Sequence, residues 1–401
     1  MISWGDLFSG SIKEAKSTKS LKSNKVLFIV EDARSLILTR KELLLAIKDR
    51  GYSIDIFTPI DENCERLKEM GFNVIDAYFN RRSKNPFSDL KLLFKYIKLT
   101  KCKYDFAITY SVKANIYGGI AMRIKKIPYY INVTGTGSAF YNGGLIKTII
   151  KILYKPSSRH ANGVFFENSE DRDVFVNYKL CKQEATHVLS GAGINTDEFE
   201  YREFPNNQIT RFLYIGRLME EKGIEDLYPI IKELNTSNKK AIFEFLGDFE
   251  DKYKELFKKF LLLDNVVYHG YNINVKDYIE NADCLILPSY HEGMANVLLE
   301  AGALGRPLIA SNIAGCREAI DDFKNGYLFK VKDANDIKKK INLFLSLSFE
   351  EKEAMGKYSR EFIKSNFERK NVVDKVINII GVKQNIEHNI EFSTPRDSSR
   401  V

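Results

Sequence analysis

The chain has 401 residues, 44% of them apolar and 28% charged, and a formal net charge of +8. It is longer than a single hydrophobic core usually supports and too apolar for a disordered polymer, so a lone small module and global disorder are excluded and two domains are expected. The five cysteines, Cys64, Cys102, Cys181, Cys284 and Cys316, are scattered with no C-x-x-C pair, which argues against a disulfide framework or a zinc site and fits a reducing cytosol.

Residues 1–23 are polar and rich in Ser and Lys apart from Ile2, Trp4, Leu7 and Phe8, and read as a flexible tail with no secretory signal. From residue 24, short β-rich runs alternate with helical patterns. Strands are expected over 26–30, 53–57, 106–110, 129–133, 164–167 and 187–189. That alternation is the mark of a parallel, doubly wound α/β sheet, and it defines an N-terminal Rossmann-like domain over 24–195. A linker over 196–208, with Pro205, Asn206 and Asn207, separates it from a second series at 211–215, 242–246, 266–269, 284–287 and 308–310. The second series defines another Rossmann-like domain over 209–365. Residues 366–382 read as a C-terminal helix that completes this domain or crosses back to the first, and 383–401 as a second flexible tail. Ligands of open α/β sheets sit beyond the carboxyl ends of the strands, so two such domains are expected to face an interdomain cleft.

Residues 80–130 hold twelve Lys or Arg against two Asp, so one face of the N-terminal domain is expected to be basic. Within this stretch, 89–103 reads as an amphipathic helix with Lys91, Lys95 and Lys98 opposite Leu93, Phe94 and Ile97. Its apolar face is expected to pack on the sheet and its lysine face to meet anionic lipid. Residues 141–154, with Leu145, Ile146, Ile149, Ile150 and Leu153, are expected to pack in the core and form a second candidate for lipid contact. No run approaches the roughly 18 apolar residues of a spanning helix, so membrane association is expected to be peripheral. The basic stretch carries no recognisable nucleic-acid module, and no nucleic-acid partner is expected.

Three segments carry chemistry. Asn132-Val-Thr-Gly-Thr-Gly137 follows a strand, and the small residues Thr134, Gly135, Thr136 and Gly137 let backbone amides approach a phosphate or a sugar. Tyr214-Ile-Gly-Arg-Leu-Met-Glu-Glu-Lys-Gly223 also follows a strand. There Gly216 permits close backbone approach, while Arg217 and Lys222 supply positive charge. In Pro288-Ser-Tyr-His-Glu-Gly-Met-Ala-Asn-Val-Leu-Leu-Glu300, a strand runs through a loop into a helix beginning near Asn296. The free amides of that helix start favour an anion, and Glu292 and Glu300 are suited to accept hydrogen bonds from adjacent hydroxyls of a sugar or ribose. Together these describe a reader of a polyhydroxylated phosphate ester.

The spacing of Glu292 and Glu300 within S-x-x-E-G-M-x-N-x-L-L-E-A, continued by Gly305-Arg-Pro-Leu-Ile-Ala-Ser and Gly315-Cys-Arg-Glu, resembles the E-x7-E signature of GT4 glycosyltransferases. Ala295 stands where that family often has Pro. The 214–223 turn resembles the family's G-R-L-x-x-x-K-G segment. The Thr134–Gly137 stretch looks like the T-G-x-G loop of a branch acting on polyprenyl-diphosphate-linked sugars. Leu36-Ile-Leu-Thr-Arg40 resembles that branch's S-H-R segment, with Thr39 in place of His and Arg40 available to a phosphate.

The resemblance implies a GT-B fold and a retaining transferase that moves a hexose or N-acetylhexosamine from a nucleotide-diphosphate sugar, UDP by default, to a lipid-diphosphate-linked sugar. It implies a donor site of Gly216, Arg217, Lys222, Glu292, Gly293, Met294, Ala295, Asn296 and Glu300, with Arg217, Lys222 and Glu292 catalytic. Thr134, Gly135, Thr136, Gly137 and Arg40 would face the acceptor or a phosphate. No metal and no cofactor are expected, because the cations would stabilise the departing diphosphate. The expected setting is the cytoplasmic face of the membrane, in surface polysaccharide or glycan assembly.

H-E-x-x-H fails at Ala295, and no G-x-S-x-G elbow, G-x4-G-K-[ST] loop or G-x-G-x-x-G fingerprint after the first strand occurs. Other readings are a GT-B enzyme with a soluble acceptor, a nucleotide-sugar epimerase, or a catalytically silent membrane scaffold.

Overall fold

The computed structural model describes residues 24–77, 85–136, 144–237 and 241–382. The expectations for both tails and for Gly137 therefore lie outside the described residues. Among the described residues the chain builds two parallel sheets. The first is made of β1 (Lys25–Ile29), β2 (Ser53–Thr58), β3 (Asn73–Asp76), β4 (Phe106–Tyr110), β5 (Tyr129–Val133), β6 (Gly163–Phe166) and β7 (Thr186–Val188), in the order β3-β2-β1-β4-β5-β6-β7. The second is made of β8 (Thr210–Ile215), β9 (Ala241–Leu246), β10 (Val266–Gly270), β11 (Cys284–Leu287), β12 (Leu308–Ser311) and β13 (Gly326–Phe329). Its order is β10-β9-β8-β11-β12-β13. Both orders reverse direction once, between β1 and β4 and between β8 and β11, and such switch points open a crevice at the strand ends. This is the GT-B arrangement.

β4, β5 and β11 are buried along their whole length and β1 beyond its first residue, which is why they read as continuous apolar runs. Helices cover both faces of the first sheet and divide its core in two. Phe28, Leu44, Ile56 and Phe165 lie on one side, and Ile29, Phe57, Tyr96 and Tyr154 on the other. The second sheet carries a single large core that includes Phe212, Phe243, Phe245, Leu298 and Ile341. Removing each such side chain from water stabilises the fold by about 1.5–3 kcal/mol.

The helix Ala33–Lys48 begins at the cleft because Asp32 caps it, its carboxylate accepting the Ser35 amide at 2.6 Å. Leu36, Ile37, Leu43, Leu44 and Ile47 form its buried stripe.

The chain passes between domains twice, and the two crossings are bonded to each other. The Ile194 amide donates to the Phe367 carbonyl at 2.8 Å, and the Arg369 amide to the Ile194 carbonyl at 2.9 Å. A Cβ on Gly193 would meet Arg369 Cα at 2.7 Å, so the junction needs glycine there. Beyond it, the helix Arg369–Ile380 buries Val372, Val373, Val376 and Ile377 in the N-terminal core.

One surface expectation is corrected. The helix Pro86–Leu99 packs inward through Leu92 and Tyr96, while Phe94 is 61% exposed and lines up outside with Phe87 (75%) and Leu90 (50%). The three sit at i, i+3 and i+7, one stripe of a helix. Assigning Phe94 to the packed face was a rotation error, because apolar residues occur all round this helix.

Candidate active site

The carboxyl ends of β1, β4, β5 and β6 open on a cavity of about 260 Å³. Val30, Glu31, Tyr110, Ser111, Thr134 and Glu167 line it from the first domain, and Glu292, Gly293, Met294 and Asn296 close it from the second. Two neighbouring hollows continue the cleft. One, lined by Gly216, Arg217, Gly247, Asp248, Tyr271 and Arg34, shares Asp32 and Ser35 with the first cavity. The other holds Glu300, Arg369 and Lys276 and shares Thr39 and Asn296 with it.

The 288–293 loop is set by backbone bonds to the turn after β8. The Tyr290 amide donates to the Glu221 carbonyl at 2.8 Å, and Gly223, at φ +64°, sits where a Cβ would stand 2.0 Å from the Pro288 carbonyl oxygen. No residue with a side chain fits that contact. The apposition carries Lys222 onto Glu292, with Nζ 2.5 Å from Oε1. Ser289 Oγ donates to the same oxygen at 2.7 Å, so Oε2 is left to the cavity. Arg217 is exposed in the second hollow, and no carboxylate pairs with its guanidinium among the described residues.

Gly216 donates its amide to the Leu246 carbonyl at 2.9 Å, and its own carbonyl presses on Gly247, where a Cβ would approach to 2.0 Å. The two glycines thin the floor beneath Arg217. Met294 and Ala295 are buried: Met294 packs over Gly191, and Ala295 fixes the loop through its amide to the Gly315 carbonyl at 2.8 Å. The helix Asn296–Ala303 starts directly at the cleft with no side chain capping it, so its first amides remain for a ligand. Glu300, one turn later, lies at the floor of the third hollow. Burial pushes its carboxyl up to about 7, opposed by the positive charge of Arg369.

In the N-terminal domain, Thr134 lines the cavity, and Gly135 lies against the backbone of Gly293. Thr136 is tucked beneath, donating to Asp171 at 2.7 Å with only 4% of its surface exposed. Arg40 is in the cavity wall but is not a free cation. Its Nη2 lies 2.7 Å from Glu167 Oε1, and its guanidinium sits over the Tyr110 ring at 5.2 Å. Burial raises the Glu167 carboxyl above its ordinary range, the charge of Arg40 opposing it. Thr39, the residue in place of the usual His, donates its hydroxyl to the Ser35 carbonyl at 2.7 Å. Among the described residues no group of three or more His, Cys, Asp or Glu gathers as metal ligands.

Glu167, Glu31 and Ser111 escaped the sequence reading. Glu167 directly follows β6 with no motif around it, and its partner Arg40 is 127 residues away. A buried-run strand followed directly by Glu was the one available hint.

Residues 196–362 match the family model for glycosyl transferases group 1, and residues 25–168 the one for glycosyl transferase 4-like proteins. The chain is 31% identical over 336 residues to the Campylobacter jejuni N,N'-diacetylbacillosaminyl-diphospho-undecaprenol alpha-1,3-N-acetylgalactosaminyltransferase, covering 79% of this chain and 88% of that protein. It is 26% identical over 314 residues to the Escherichia coli UDP-Gal:alpha-D-GlcNAc-diphosphoundecaprenol alpha-1,3-galactosyltransferase, covering 72% and 78%. The crystal structure of Anabaena HepE with UDP-glucose superposes with a TM-score of 0.72 at 18% identity, over 89% of this chain and 99% of that one, a likeness of fold. With its two lobes, its cleft and the glutamate pair in place, the chain belongs to the GT4 family of GT-B glycosyltransferases.

Proposed function

We propose that this glycosyltransferase moves a hexose or N-acetylhexosamine, with retention and without a metal, from a UDP-sugar to a polyprenyl-diphosphate-linked sugar at the cytoplasmic face of a membrane. The observation that carries the reading is the convergence of Arg217, the Lys222–Glu292 pair, the Asn296 helix start and Glu300 on one cleft. Negative charge grows on the leaving diphosphate as the glycosidic bond breaks. A guanidinium, an ammonium and a helix N-terminus placed there favour the transition state over the ground state. Glu292 Oε2 holds a hydroxyl of the transferred sugar, and Glu300 holds the ribose. A donor-phosphate oxygen takes the acceptor's proton on the face from which the diphosphate leaves, which preserves the configuration.

The names of the Campylobacter and Escherichia coli relatives, both acting on undecaprenyl-diphosphate sugars, support the lipid-linked acceptor. No helix among the described residues is long and apolar enough to cross a membrane, and the surface supports peripheral attachment. Phe87, Leu90 and Phe94 stand out beside Lys91 and Lys98, and Ile149 and Ile152 stand out from the helix Gly144–Ser158 beside Lys151 and Lys155. Both helices pack on the same side of the first sheet. Apolar side chains inserted between lysines suit an anionic bilayer.

Incubation in EDTA with UDP-sugars and short-chain polyprenyl-diphosphate sugars, read by product mass, tests the proposal. A single hexose or N-acetylhexosamine increment is expected. Sugar release without an acceptor product, or strict dependence on Mg²⁺ or Mn²⁺, overturns it.

A further inference from the structure

Ser111 is the one non-glycine residue with positive φ (+79°) lining the main cavity among the described residues. It directly follows β4 at the switch point of the first sheet. A serine there is strained by about 1–2 kcal/mol, a conformation that persists only where the surroundings enforce it. They do so here. The Ser111 carbonyl accepts the Asn115 amide at 2.8 Å, and Asn115 is itself fixed by the Thr109 hydroxyl at 2.8 Å and by its own bond to the Asn132 carbonyl at 2.9 Å. The chain then enters a wide turn at Ala114–Gly118, an irregularity frequent at functional sites.

The Ser111 hydroxyl is buried and has no hydrogen-bond partner in the protein, and the same is true of Arg40 Nε in the same cavity wall. Arg40 is 6% exposed. Burying such groups without partners is unfavourable, and glycine at position 111 would avoid both the strain and the orphan hydroxyl. Arg40, the one cation of the lining, is paired with Glu167, and Glu292 is paired with Lys222. With those charges answered within the protein, the space between them suits an uncharged ring, while the exposed guanidinium of Arg217 lies in the neighbouring hollow.

We infer that Ser111 is a specificity-determining positioning residue, its hydroxyl and Arg40 Nε forming a socket for one hydroxyl or amide substituent of a neutral sugar ring in the cavity. A substituent oxygen accepts from the arginine and exchanges a hydrogen bond with the serine, relieving both orphans only in the complex. The inference rests on the proposed transfer reaction.

The test is Ser111→Gly, assayed with the UDP-sugar and short-chain polyprenyl-diphosphate sugar that give product with the parent enzyme. The expected result is a melting temperature at or above the parent's, unchanged UDP affinity, and kcat/KM lower by about tenfold or more, the loss of one buried hydrogen bond. A purely structural serine would give the same or higher stability with kcat/KM within twofold of the parent, and that result overturns the inference. A variant with a lower melting temperature overturns the strain on which it stands. Absence of transfer by parent and variant alike overturns the proposed reaction as well, so the two failures are distinguishable.

Discussion

Gly293 of the C-terminal domain lies against Thr134 of the N-terminal domain so closely that a Cβ on it would stand 2.1 Å from the Thr134 carbonyl oxygen. Asn168 holds the contact from the other side, its Nδ2 donating to the Gly293 carbonyl at 2.8 Å. The loop bearing Glu292 and the loop bearing Thr134 are thereby pressed together, backbone to backbone, across the cleft. Gly293→Ala is expected to push the loops apart by about an ångström, with kcat/KM falling about 100-fold. Steady-state kinetics beside an unchanged far-UV circular dichroism spectrum checks this. Parental activity would show that the contact does not set the site.

Lys222→Met removes the ammonium that bonds Glu292 and leaves a largely buried carboxylate without its counter-charge, with the Ser289 hydroxyl as its remaining partner. In the proposed reaction the charge is needed most as the diphosphate departs, so kcat is expected to fall by about 10²–10³ while the donor KM changes far less. A rise in KM at constant kcat would assign the lysine to ground-state binding.

In the proposed donor site, Glu300 is expected to make UDP-sugar binding depend on pH. Burial raises its carboxyl from 4.5 to about 7, so the carboxylate that accepts ribose hydrogen bonds becomes the dominant form only above that value. UDP-sugar affinity is expected to strengthen as pH rises through 7 and then level off, with Glu300→Gln giving a flat profile, since both phosphates of a UDP-sugar stay ionised across this range. Stability runs the other way. A carboxyl whose folded value is raised contributes fully below its unfolded value and loses that contribution as pH rises through the folded one. Calorimetric titrations at pH 5.5, 7 and 8.5 check the binding half, and a flat profile in the parent would contradict it.

The sheets were legible from sequence because their central strands are unbroken apolar runs bounded by turns. β3 and β13 were not. Each has four residues and lies at a sheet edge, and Gly326 opens β13 where a Cβ would come within 1.7 Å of the Leu308 carbonyl oxygen. Nothing local marks such a strand except its neighbour. The glutamates and cations of the site were legible as motifs, but not that Lys222 bonds Glu292 across 70 residues, because that contact is made by the folded backbone. Arg40–Glu167 and the strained Ser111 were hidden for the same reason.

The apolar stripe on Pro86–Leu99 predicts lipid attachment. Replacing Phe87 and Phe94 with Asp is expected to abolish co-sedimentation with phosphatidylglycerol vesicles while leaving transfer to a water-soluble short-chain acceptor unchanged. Raising salt should weaken parental binding, since Lys91 and Lys98 contribute through screened charge. Undiminished sedimentation of the double variant would move the contact elsewhere.

In the proposed reaction the donor diphosphate is held by positive charge in the cleft, and Arg217, exposed and with no carboxylate partner among the described residues, is its most accessible element. Calorimetric titration of UDP in EDTA into parent and Arg217→Ala tests this directly. The parent is expected to bind, and the variant to bind about 10–100-fold more weakly, the loss of charge-assisted bonds to phosphate. Equal affinity in the two proteins, or binding by the parent only when a divalent metal is restored, would contradict it.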